Sequence, residues 1–297
     1  MNLCRKIGLG TAQWGMRYGV ANRAGRPEPT EVARMLRMAR ESGVTLLDTA
    51  QTYGEAESVI GQAGEDLQIW RIVTKTSPAK EGDFGAQEAL ILSNTFKESR
   101  SRLSSSKLYG LLVHNAGNLL SENGHRLWRA LQAFKEEDLV SKLGVSVYEP
   151  DQLSRILDCY PIDLVQLPLN IYDQRFLQSG LLSRTRLAGV EIHVRSVFLQ
   201  GLLLMPPDQL PNQFSRIRAS HTRLYRECEI SGITPLEGSL RFCLNQPEAD
   251  HVIVGCEARE QLEGILRASS ASGACLPCPE SFAVEDFAVI DPRRWAA

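Results

Sequence analysis

Four ionisable side chains stand at or just after the ends of three short apolar runs. Asp48 ends VTLLD, Tyr53 follows five residues later, Lys75 ends IWRIVTK and His114 ends LYGLLVH. An acid, a phenol, an amine and an imidazole held together would support proton transfer, with the ammonium stabilising the phenolate and Asp48 holding Lys75. Taken singly, each has a structural explanation as a turn residue, a strand-end charge or a core side chain. Together they predict a proton-transfer site, if the fold brings the three runs to one edge.

Apolar runs and amphipathic segments alternate along the whole chain. We expect strands at 6–10, 44–48, 69–75, 108–114, 142–146, 162–168, 190–196 and 251–255. Helices are expected at 29–43, 57–63, 86–103, 125–138, 150–158, 178–188, 220–231 and 259–268, with an extra helix at 234–245 before the last strand. Eight strand–helix units predict an α/β fold, a closed (β/α)8 TIM barrel. The domain prediction is one barrel over residues 1–297, with a C-terminal tail.

In such a barrel the active site lies on the face where the strands end. The three runs would then bring their ionisable residues to one rim. The alternative is a doubly wound open sheet, because GLGTAQWG is close to a G-x-G-x-x-G phosphate-binding turn. Gln13 stands where the third glycine belongs, and about twenty irregular residues separate this strand from its helix, so the barrel is favoured.

Composition excludes several classes of function. The 297 residues are 43% hydrophobic and 23% charged with a net charge of -2, which gives ample core and no field to hold a nucleic acid. No window approaches the ~18 apolar residues of a membrane span, and no signal peptide precedes the first strand, so we expect a cytoplasmic protein without a membrane partner. The seven cysteines are scattered, and CLPC at 275–278 lacks further zinc ligands, so neither disulfides nor a metal is expected.

The sequence resembles the aldo-keto reductase family along nearly its whole length. The matching stretches are GLGTAQWG, LDTAQTYGEAESVIG, TK at 74–75, LLVHN, KLGVS, VQLPLN, RSVFLQGLL, and VIVG followed by EQLE. The D-T-A-x-x-Y-G-x-x-E block is highly specific. The resemblance implies that Asp48, Tyr53, Lys75 and His114 are the catalytic residues. It also implies hydride transfer between a nicotinamide cofactor and a carbonyl or alcohol carbon, with Tyr53 as general acid and no metal.

The resemblance also implies two sets of binding residues. The cofactor would contact Gly10, Thr11, Gln13, Asp48, Ser146, Gln166, Arg195, Ser196, Phe198, Gln200, Gly201, Gly255, Cys256, Arg259 and Gln261. Within this set, the nicotinamide carboxamide would be held by Ser146 and Gln166. A small carbonyl or polyol substrate would contact Trp14, Tyr18, Tyr53, His114, Asn115 and Tyr172. The GTAQWGMRYGVAN opening is similar to a bacterial branch associated with sugar-like compounds, which favours a polyhydroxylated aldehyde or ketone.

Two departures from the family pattern affect the nicotinamide end. Val147 follows Ser146 where much of the family has Asn, so one carboxamide partner is missing. Arg195 takes the place of an aromatic platform for the nicotinamide ring. Its guanidinium would either stack on that ring, favouring the reduced form, or turn outward to an acid, and both interpretations stay open.

A third departure affects the choice of cofactor. Ala258 stands where relatives often carry the Arg that binds the extra phosphate of NADP, and Arg259 follows it. We expect an NADP-dependent enzyme that uses Arg259. NAD(H) is the alternative, because Glu257 adds an acid that could select an unmodified ribose hydroxyl.

Three functions are compatible with this sequence. The first is an oxidoreductase that reduces an aldehyde or ketone, and the four intact residues favour it. A cofactor-binding accessory or regulatory subunit with little turnover is the second, since one branch of the family accompanies ion channels. The third is an NAD-dependent dehydrogenase that works in the alcohol-oxidising direction. The natural substrate, the direction and the oligomeric state stay open.

Overall fold

Eight parallel strands close into a barrel in the order of the chain. The computed structural model describes residues 3–77, 84–270 and 273–295, which include every predicted site residue. The strands are β1 (Ile7–Gly10), β2 (Leu46–Asp48), β3 (Arg71–Lys75), β4 (Leu108–Val113), β5 (Val140–Ser146), β6 (Leu164–Pro168), β7 (Glu191–Arg195) and β8 (His251–Gly255). β8 returns to pair with β1, from Ile7 opposite Val252 to Gly10 opposite Gly255. The predicted (β/α)8 barrel is confirmed.

Helices follow each strand and cover the outside of the barrel. The α-helices are α1 (Ala12–Gly15), α2 (Pro29–Glu41), α3 (Ala56–Gly61), α4 (Ala86–Arg102), α5 (Ala116–Leu120), α6 (Gly124–Glu136), α7 (Pro150–Cys159), α8 (Arg175–Gln178), α9 (Leu181–Leu187), α10 (Arg218–Ile230), α11 (Pro235–Leu244), α12 (Arg259–Ser270) and α13 (Phe287–Ile290). Short 3-10 helices lie at Leu3–Lys6, Leu67–Ile69, Leu199–Leu204, Pro207–Gln209, Asn212–Ile217, Pro279–Phe282 and Pro292–Arg294. Within the described residues, no helix is both long enough and apolar enough to cross a lipid bilayer.

Local chemistry explains where several helices begin and end. The extra helix before β8 is α11, and it begins at a capping box in which the Thr234 side chain accepts from Glu237 N–H. The helix predicted over 178–188 is observed as α9, and the short α8 before it, which overlaps the prediction only at Gln178, was not predicted. They are separated by Gly180, whose φ of 70° is left-handed and ends the first helix. The short α1 in the loop after β1 was not predicted, because one helical turn gives no periodicity.

A small apolar cluster from five strands lies apart from the larger core. Its members are Leu46, Val73, Leu112, Leu164 and Ile253, all nearly inaccessible to solvent. The larger core packs the other strand faces against the surrounding helices. Because side chains alternate along a strand, the five residues of the small cluster belong to the faces that point into the barrel. The residues two positions further along these strands therefore point inward too, one layer nearer the carboxyl ends.

The amino-terminal end of the barrel is closed by a polar cluster. The Glu191 carboxylate accepts from the Tyr109 hydroxyl at 2.7 Å, lies 2.6 Å from His193 Nε2 and pairs with Lys142. His251 is buried beside His193, with ring centroids 5.0 Å apart. Burial disfavours the Glu191 charge, but the bonds from His193 and Lys142 outweigh it and lower the pKa of that carboxyl. The cluster lies at the end of the barrel opposite the carboxyl-end face, and its His193 and His251 Nδ1 atoms are buried without a hydrogen-bond partner among the described residues.

Candidate active site

The layer above the apolar interior is polar. Asp48, Lys75 and Gln166 lie two positions after Leu46, Val73 and Leu164 on β2, β3 and β6. His114 comes directly after β4, two positions beyond Leu112. Alternation along the strands therefore accounts for the inward direction of all four polar side chains. The structure brings together three of the four predicted catalytic residues by strand register alone.

Asp48 and Lys75 form a buried ion pair. Lys75 Nζ lies 2.8 Å from both Asp48 carboxylate oxygens and 2.9 Å from Thr49 O, so its three N–H donors are all used. The two side chains are 1% and 5% exposed. Burial is the larger influence on the pKa of Lys75 and lowers it, whereas Asp48 acts to raise it. Lys75 therefore has no donor left for a ligand, and its position is fixed by Asp48 and Thr49.

Tyr53 lies beside this pair in the loop between β2 and α3. Lys75 Nζ is 5.0 Å from the centroid of the Tyr53 ring, over its face. Burial, and then the Asp48 carboxylate, raise the pKa of the Tyr53 phenol, while the charge of Arg195 opposes them. The direction of this pKa shift is opposite to that expected from a phenol beside an ammonium, because burial and the Asp48 carboxylate together outweigh the nearby positive charges. The phenol therefore holds its proton at neutral pH, as a proton donor must.

His114 is a neutral imidazole. Burial is the largest cause, followed by the charges of Lys75 and Arg195, and together they lower the pKa of His114 to about 4. Its ring packs edge-on to Tyr53 with centroids 6.1 Å apart, and its Nδ1 lies 3.4 Å from Thr52 Oγ1. A neutral imidazole can hydrogen-bond a carbonyl oxygen at neutral pH without giving up a proton.

The loop that carries Tyr53 packs main chain against main chain on the loop after β1. A Cβ added to Gly15 would lie 1.8 Å from Tyr53 O, and one added to Gly54 would lie 2.4 Å from Gly15 O. Gly54 also has a left-handed φ of 57°, which favours glycine. Glu55 N–H donates to Gly15 O at 3.3 Å. Only glycine fits at these two positions. Their contact fixes the position of the Tyr53 backbone relative to the loop after β1.

A cavity of about 390 Å³ opens at the carboxyl ends of the strands. This volume lies within the range of small-molecule sites, roughly 300 to 1,000 Å³. The predicted residues that line it are Gly10, Thr11, Gln13, Tyr18, Asp48, Tyr53, His114, Ser146, Gln166, Arg195, Ser196, Phe198, Gln200, Gly201, Gly255 and Gln261. The structure therefore brings most of the predicted cofactor set to the same cavity as Tyr53 and His114.

Three residues of the predicted substrate set do not line this cavity. The Trp14 indole is buried and donates to Cys256 O at 3.0 Å. Tyr172 is fully buried, and its hydroxyl lies 2.7 Å from His221 Nδ1. Asn115 turns back on its own chain, where it accepts from Gly117 N–H at 2.9 Å and caps α5. Each of these polar groups has a structural partner elsewhere, which explains its direction.

Two residues of the predicted cofactor set also lie outside the lining. The Cys256 thiol is buried against Met35, with the two sulfur atoms 3.8 Å apart. The Arg259 side chain is 46% exposed at the start of α12, and its guanidinium lies 3.5 Å from Glu260. Glu257 and Glu260 line the cavity at this point. The end of the cavity formed by β8 and α12 is therefore acidic.

Several lining residues were not predicted. Tyr148 is the most informative, because it lies two positions after Ser146 and strand alternation could have identified it. Val147 between them is fully buried, so its side chain offers nothing to a ligand. The other unpredicted residues that line the cavity are Ala12, Gly19, Ala21, Asn22, Val197, Leu204, Leu236, Ile253, Val254, Glu260, Gly264 and Ile265. Glu257, which the sequence indicated as a possible selector of a free ribose hydroxyl, lines it as well.

The loop after β7 reaches the cavity through unusual backbone. Ser196, Leu199 and Gln200 have φ values of 61°, 48° and 54°, which non-glycine residues rarely adopt. Gln200 Nε2 donates to the Tyr18 hydroxyl at 3.3 Å, and Ala21 N–H donates to Gln200 O at 3.4 Å. The loops after β1 and β7 are thereby joined beside the cavity. Strained backbone of this kind is often retained at functional sites.

Arg195 packs against the ring of Tyr148 and forms no ion pair with an acid among the described residues. Its guanidinium lies over the Tyr148 ring, 4.1 Å from the centroid, and donates to Val147 O at 3.1 Å and Ser196 Oγ at 3.2 Å. Arg293 also lies over Tyr148, at 3.7 Å. The sequence left open that Arg195 turns outward to an acid, and among the described residues it has no such partner.

The residues predicted to hold the nicotinamide carboxamide have donors and acceptors that fit such a group. Gln166 Nε2 donates to Asp48 Oδ1 at 2.7 Å, so the amide oxygen is the atom of Gln166 that is left to bind a ligand. Gln166 Oε1 is buried and has no hydrogen-bond partner among the described residues. A buried acceptor without a partner is costly unless a ligand donates to it. Ser146 lines the same cavity and could supply the complementary donor.

Comparisons with known proteins agree with this arrangement. The family model described as "Aldo/keto reductase family" matches residues 6–272. The chain is 23% identical over 285 residues to the "Uncharacterized oxidoreductase YqkF" of Bacillus subtilis, covering 90% of this chain and 92% of that protein. Its fold is similar to aldo-keto reductase AKR11C1 from Bacillus halodurans, with a TM-score of 0.77, 19% identity and coverage of 98% and 95%. Glycerol dehydrogenase AKR11B4 from Gluconobacter oxydans matches with a TM-score of 0.66, 20% identity and coverage of 93% and 89%.

Proposed function

The chain belongs to the aldo/keto reductase family of oxidoreductases, and from this premise we propose that it reduces an aldehyde or ketone to an alcohol with a nicotinamide cofactor. One observation carries the proposal. A protonated phenol, Tyr53, and a neutral imidazole, His114, line one cavity beside the buried Lys75–Asp48 pair. The unpartnered Gln166 oxygen in the same cavity supports a bound carboxamide.

When bound, the nicotinamide cofactor would exchange a hydride with the substrate carbon. Tyr53 gives its proton to the carbonyl oxygen as negative charge develops there, so the product is a neutral alcohol. His114 donates a hydrogen bond to the same oxygen and orients it. The Lys75 ammonium, held by Asp48 beside the Tyr53 ring, would offset the Asp48 charge that opposes the phenolate left after proton transfer. In the oxidising direction the same groups act in reverse.

The form of the cofactor is a separate part of the proposal. The sequence predicts NADP(H) through Arg259, with NAD(H) as the alternative. Glu257 and Glu260 line the β8–α12 end of the cavity, and Arg259 is not among the lining residues. Carboxylates repel the additional phosphate of NADP and accept hydrogen bonds from a free ribose hydroxyl. The two carboxylates therefore favour NAD(H) over the NADP(H) that the sequence predicts.

For the substrate we propose a small polyhydroxylated carbonyl compound. Tyr18, Asn22 and Gln200 give the cavity hydroxyl and amide groups suited to substrate hydroxyls. The structural similarity to a protein named as a glycerol dehydrogenase is in keeping with a polyol product.

The experiment is a turnover assay that follows the absorbance of the reduced cofactor. NADH and NADPH are each tested with a panel of aldehydes, hydroxyaldehydes and ketones, and the oxidised cofactors with polyols. Fluorescence titration measures cofactor binding separately. Turnover that Tyr53→Phe removes supports the proposal. Cofactor binding without turnover across the panel would overturn it and favour the accessory-subunit interpretation.

A further inference from the structure

Arg195 brings a positive charge to the cavity without a balancing carboxylate. Its guanidinium uses two N–H groups, on Val147 O and Ser196 Oγ, and forms no ion pair among the described residues. Arg195 is one of the charges that act on Tyr53 and His114, so it lies near the reacting groups. A partly buried cation that keeps unused donors is suited to an anionic ligand.

Arg293 is a natural comparison. It lies over the same Tyr148 ring, 3.7 Å from the centroid, but its charge is balanced by Asp291 at 2.7 Å and Glu149 at 3.7 Å. Arg293 is not among the described residues that line the cavity. The two arginines share an aromatic neighbour and differ in whether a protein carboxylate satisfies the guanidinium. The difference indicates that the partner of Arg195 comes from outside the chain.

Tyr148 and the loop after β7 hold the Arg195 guanidinium in one orientation. The ring covers one face of the guanidinium at 4.1 Å, and Ser196, with its φ of 61°, carries the hydroxyl that accepts from Nη1. A pre-oriented fork loses little side-chain entropy when it binds two oxygens of one anion. The three N–H groups of Arg195 that have no partner among the described residues could therefore donate to a carboxylate or phosphate.

We propose that Arg195, held by Tyr148 and Ser196, is a specificity-determining residue that binds a carboxylate or phosphate group on the carbonyl substrate. This inference rests on the proposed function and specifies that the substrate carries a negatively charged group. The charge of Arg195 acts on Tyr53 and His114, whereas the carboxylates of Glu257 and Glu260 line the cavity after β8. Anionic substrates would therefore enter with their charged group towards Arg195.

The oxidised nicotinamide ring is a poor partner for this guanidinium. That ring carries a positive charge, and a second cation beside it would repel it. One face of the Arg195 guanidinium is already covered by Tyr148. Its remaining N–H groups can donate hydrogen bonds, which the nicotinamide ring face cannot accept as an anion would. An anionic substituent on the substrate satisfies both the charge and the donors.

The test uses pairs of aldehydes that differ in one anionic group. Glyceraldehyde is compared with glyceraldehyde 3-phosphate, and butanal with succinic semialdehyde, for wild type, Arg195→Gln, Arg195→Lys and Arg293→Gln. The measured quantity is the ratio of kcat/KM for the anionic member to that for the neutral member. A charge-assisted contact predicts that Arg195→Gln lowers this ratio by about tenfold to a hundredfold in one pair. Arg195→Lys should restore part of it, and Arg293→Gln should leave it at the wild-type value.

The two pairs separate the two anions, since only the one that the site fits will show the effect. A ratio that Arg195→Gln leaves unchanged in both pairs overturns the inference while the proposed function stands. A fall in cofactor affinity without a change in either ratio also overturns it, because Arg195 would then hold the cofactor. If wild type turns over none of the aldehydes, the proposed function fails. Calorimetric binding of succinate and inorganic phosphate to the cofactor-loaded protein then decides the inference, which requires binding of one anion that Arg195→Gln weakens.

Discussion

Gln166 and Asp48 are joined by a hydrogen bond that leaves one specific atom of Gln166 without a partner. The amide nitrogen donates to Asp48 Oδ1 at 2.7 Å, and the amide oxygen stays buried and unpartnered. Since Lys75 holds the same carboxylate, the ion pair that lies beside Tyr53 also orients Gln166. The proton-transfer residues and the expected carboxamide site therefore share one buried network.

Gln166→Met should weaken cofactor binding. The substitution removes the acceptor for the carboxamide and keeps an unbranched side chain of similar size. A lost hydrogen bond of ~0.5 to 1.5 kcal/mol predicts up to about a tenfold rise in Kd, measured by fluorescence titration. The control is Gln174→Met, because Gln174 is buried but bonds Ile171 O and Pro279 O away from the cavity. Equal Kd values for wild type and Gln166→Met would remove Gln166 from the cofactor site.

Tyr53→Phe should lower turnover by at least ~10²-fold with little change in cofactor affinity, because only the transition state needs the lost proton. Steady-state kinetics and a cofactor titration on the same sample measure both. Tyr172→Phe is the matched control. Its hydroxyl bonds His221 in the core, so it should lose stability and keep its turnover. Comparable losses of turnover in both variants would contradict the assigned roles.

Lys75→Met should destabilise the fold as well as stop turnover. It leaves the Asp48 carboxylate buried without its cation, which costs about 3 to 5 kcal/mol. Urea unfolding measures the loss. The double variant Asp48→Asn with Lys75→Met has no buried charge at this position and should recover much of the stability. It should remain inactive, since the ammonium is still absent, and recovered activity would exclude a role for Lys75 in proton transfer.

The acidic end of the cavity predicts a preference for NAD(H). Glu257→Gln combined with Glu260→Gln should raise the affinity for NADPH several-fold, on the order of 1 kcal/mol for exposed charges, and change NADH binding less. Arg259→Ala should alter neither, because its side chain points to Glu260 and solvent. Both cofactors are titrated at one ionic strength, since salt screens these charges. A selective loss of NADPH affinity in Arg259→Ala would instead support the sequence prediction of NADP(H).

Acid should destabilise the barrel through His251. Burial is the largest cause, followed by His193 and Arg71, and together they lower the pKa of His251 to about 3. The histidine in the unfolded chain titrates near 6.5, so below that pH the unfolded chain binds a proton at this residue and the folded chain does not. This contribution to stability is complete above about pH 6.5 and is lost progressively as the pH falls towards the folded value.

Between pH 7 and pH 5 we expect His251 to cost up to about 2 kcal/mol of the free energy of unfolding. The measurement is the urea midpoint at both pH values. His251→Gln should reduce the difference between the two midpoints, whereas His125→Gln, at an exposed position, should leave it as in wild type. An unchanged difference in His251→Gln would show that other groups carry the acid sensitivity.

The fold and the strand-end residues could be predicted because both follow from periodicity. Alternation along β2, β3 and β6 determines that Asp48, Lys75 and Gln166 point inward whenever the strands close. The direction of Trp14 and Tyr172 could not be obtained this way. Trp14 lies in the one-turn helix α1 and Tyr172 in the loop after β6, and their polar groups find partners distant in sequence, at Cys256 and His221.

Arg195 shows a second limit of the sequence. Its position at the end of β7 was predicted, but its contact with Tyr148 depends on the path of the following loop. That path runs through left-handed backbone at Ser196 and Gln200, residue types that carry no signal for such a conformation. The assignments of individual residues to cofactor and substrate stay predictions, and the experiments above test them.

The contact between Gly15 and the Tyr53 loop sets the position of the proton donor through main chain alone, whereas side chains elsewhere in the cavity would set the selectivity. Two stretches of main chain set where the Tyr53 hydroxyl stands, and a side chain at Gly15 would collide with Tyr53 O. Neither the loop after β7 nor the β8–α12 end takes part in that contact. Changes at those two regions can therefore leave the proton donor in its place where they keep the bonds from Ala21 to Gln200 O and from Trp14 to Cys256 O, which tie the loop after β1 to both regions.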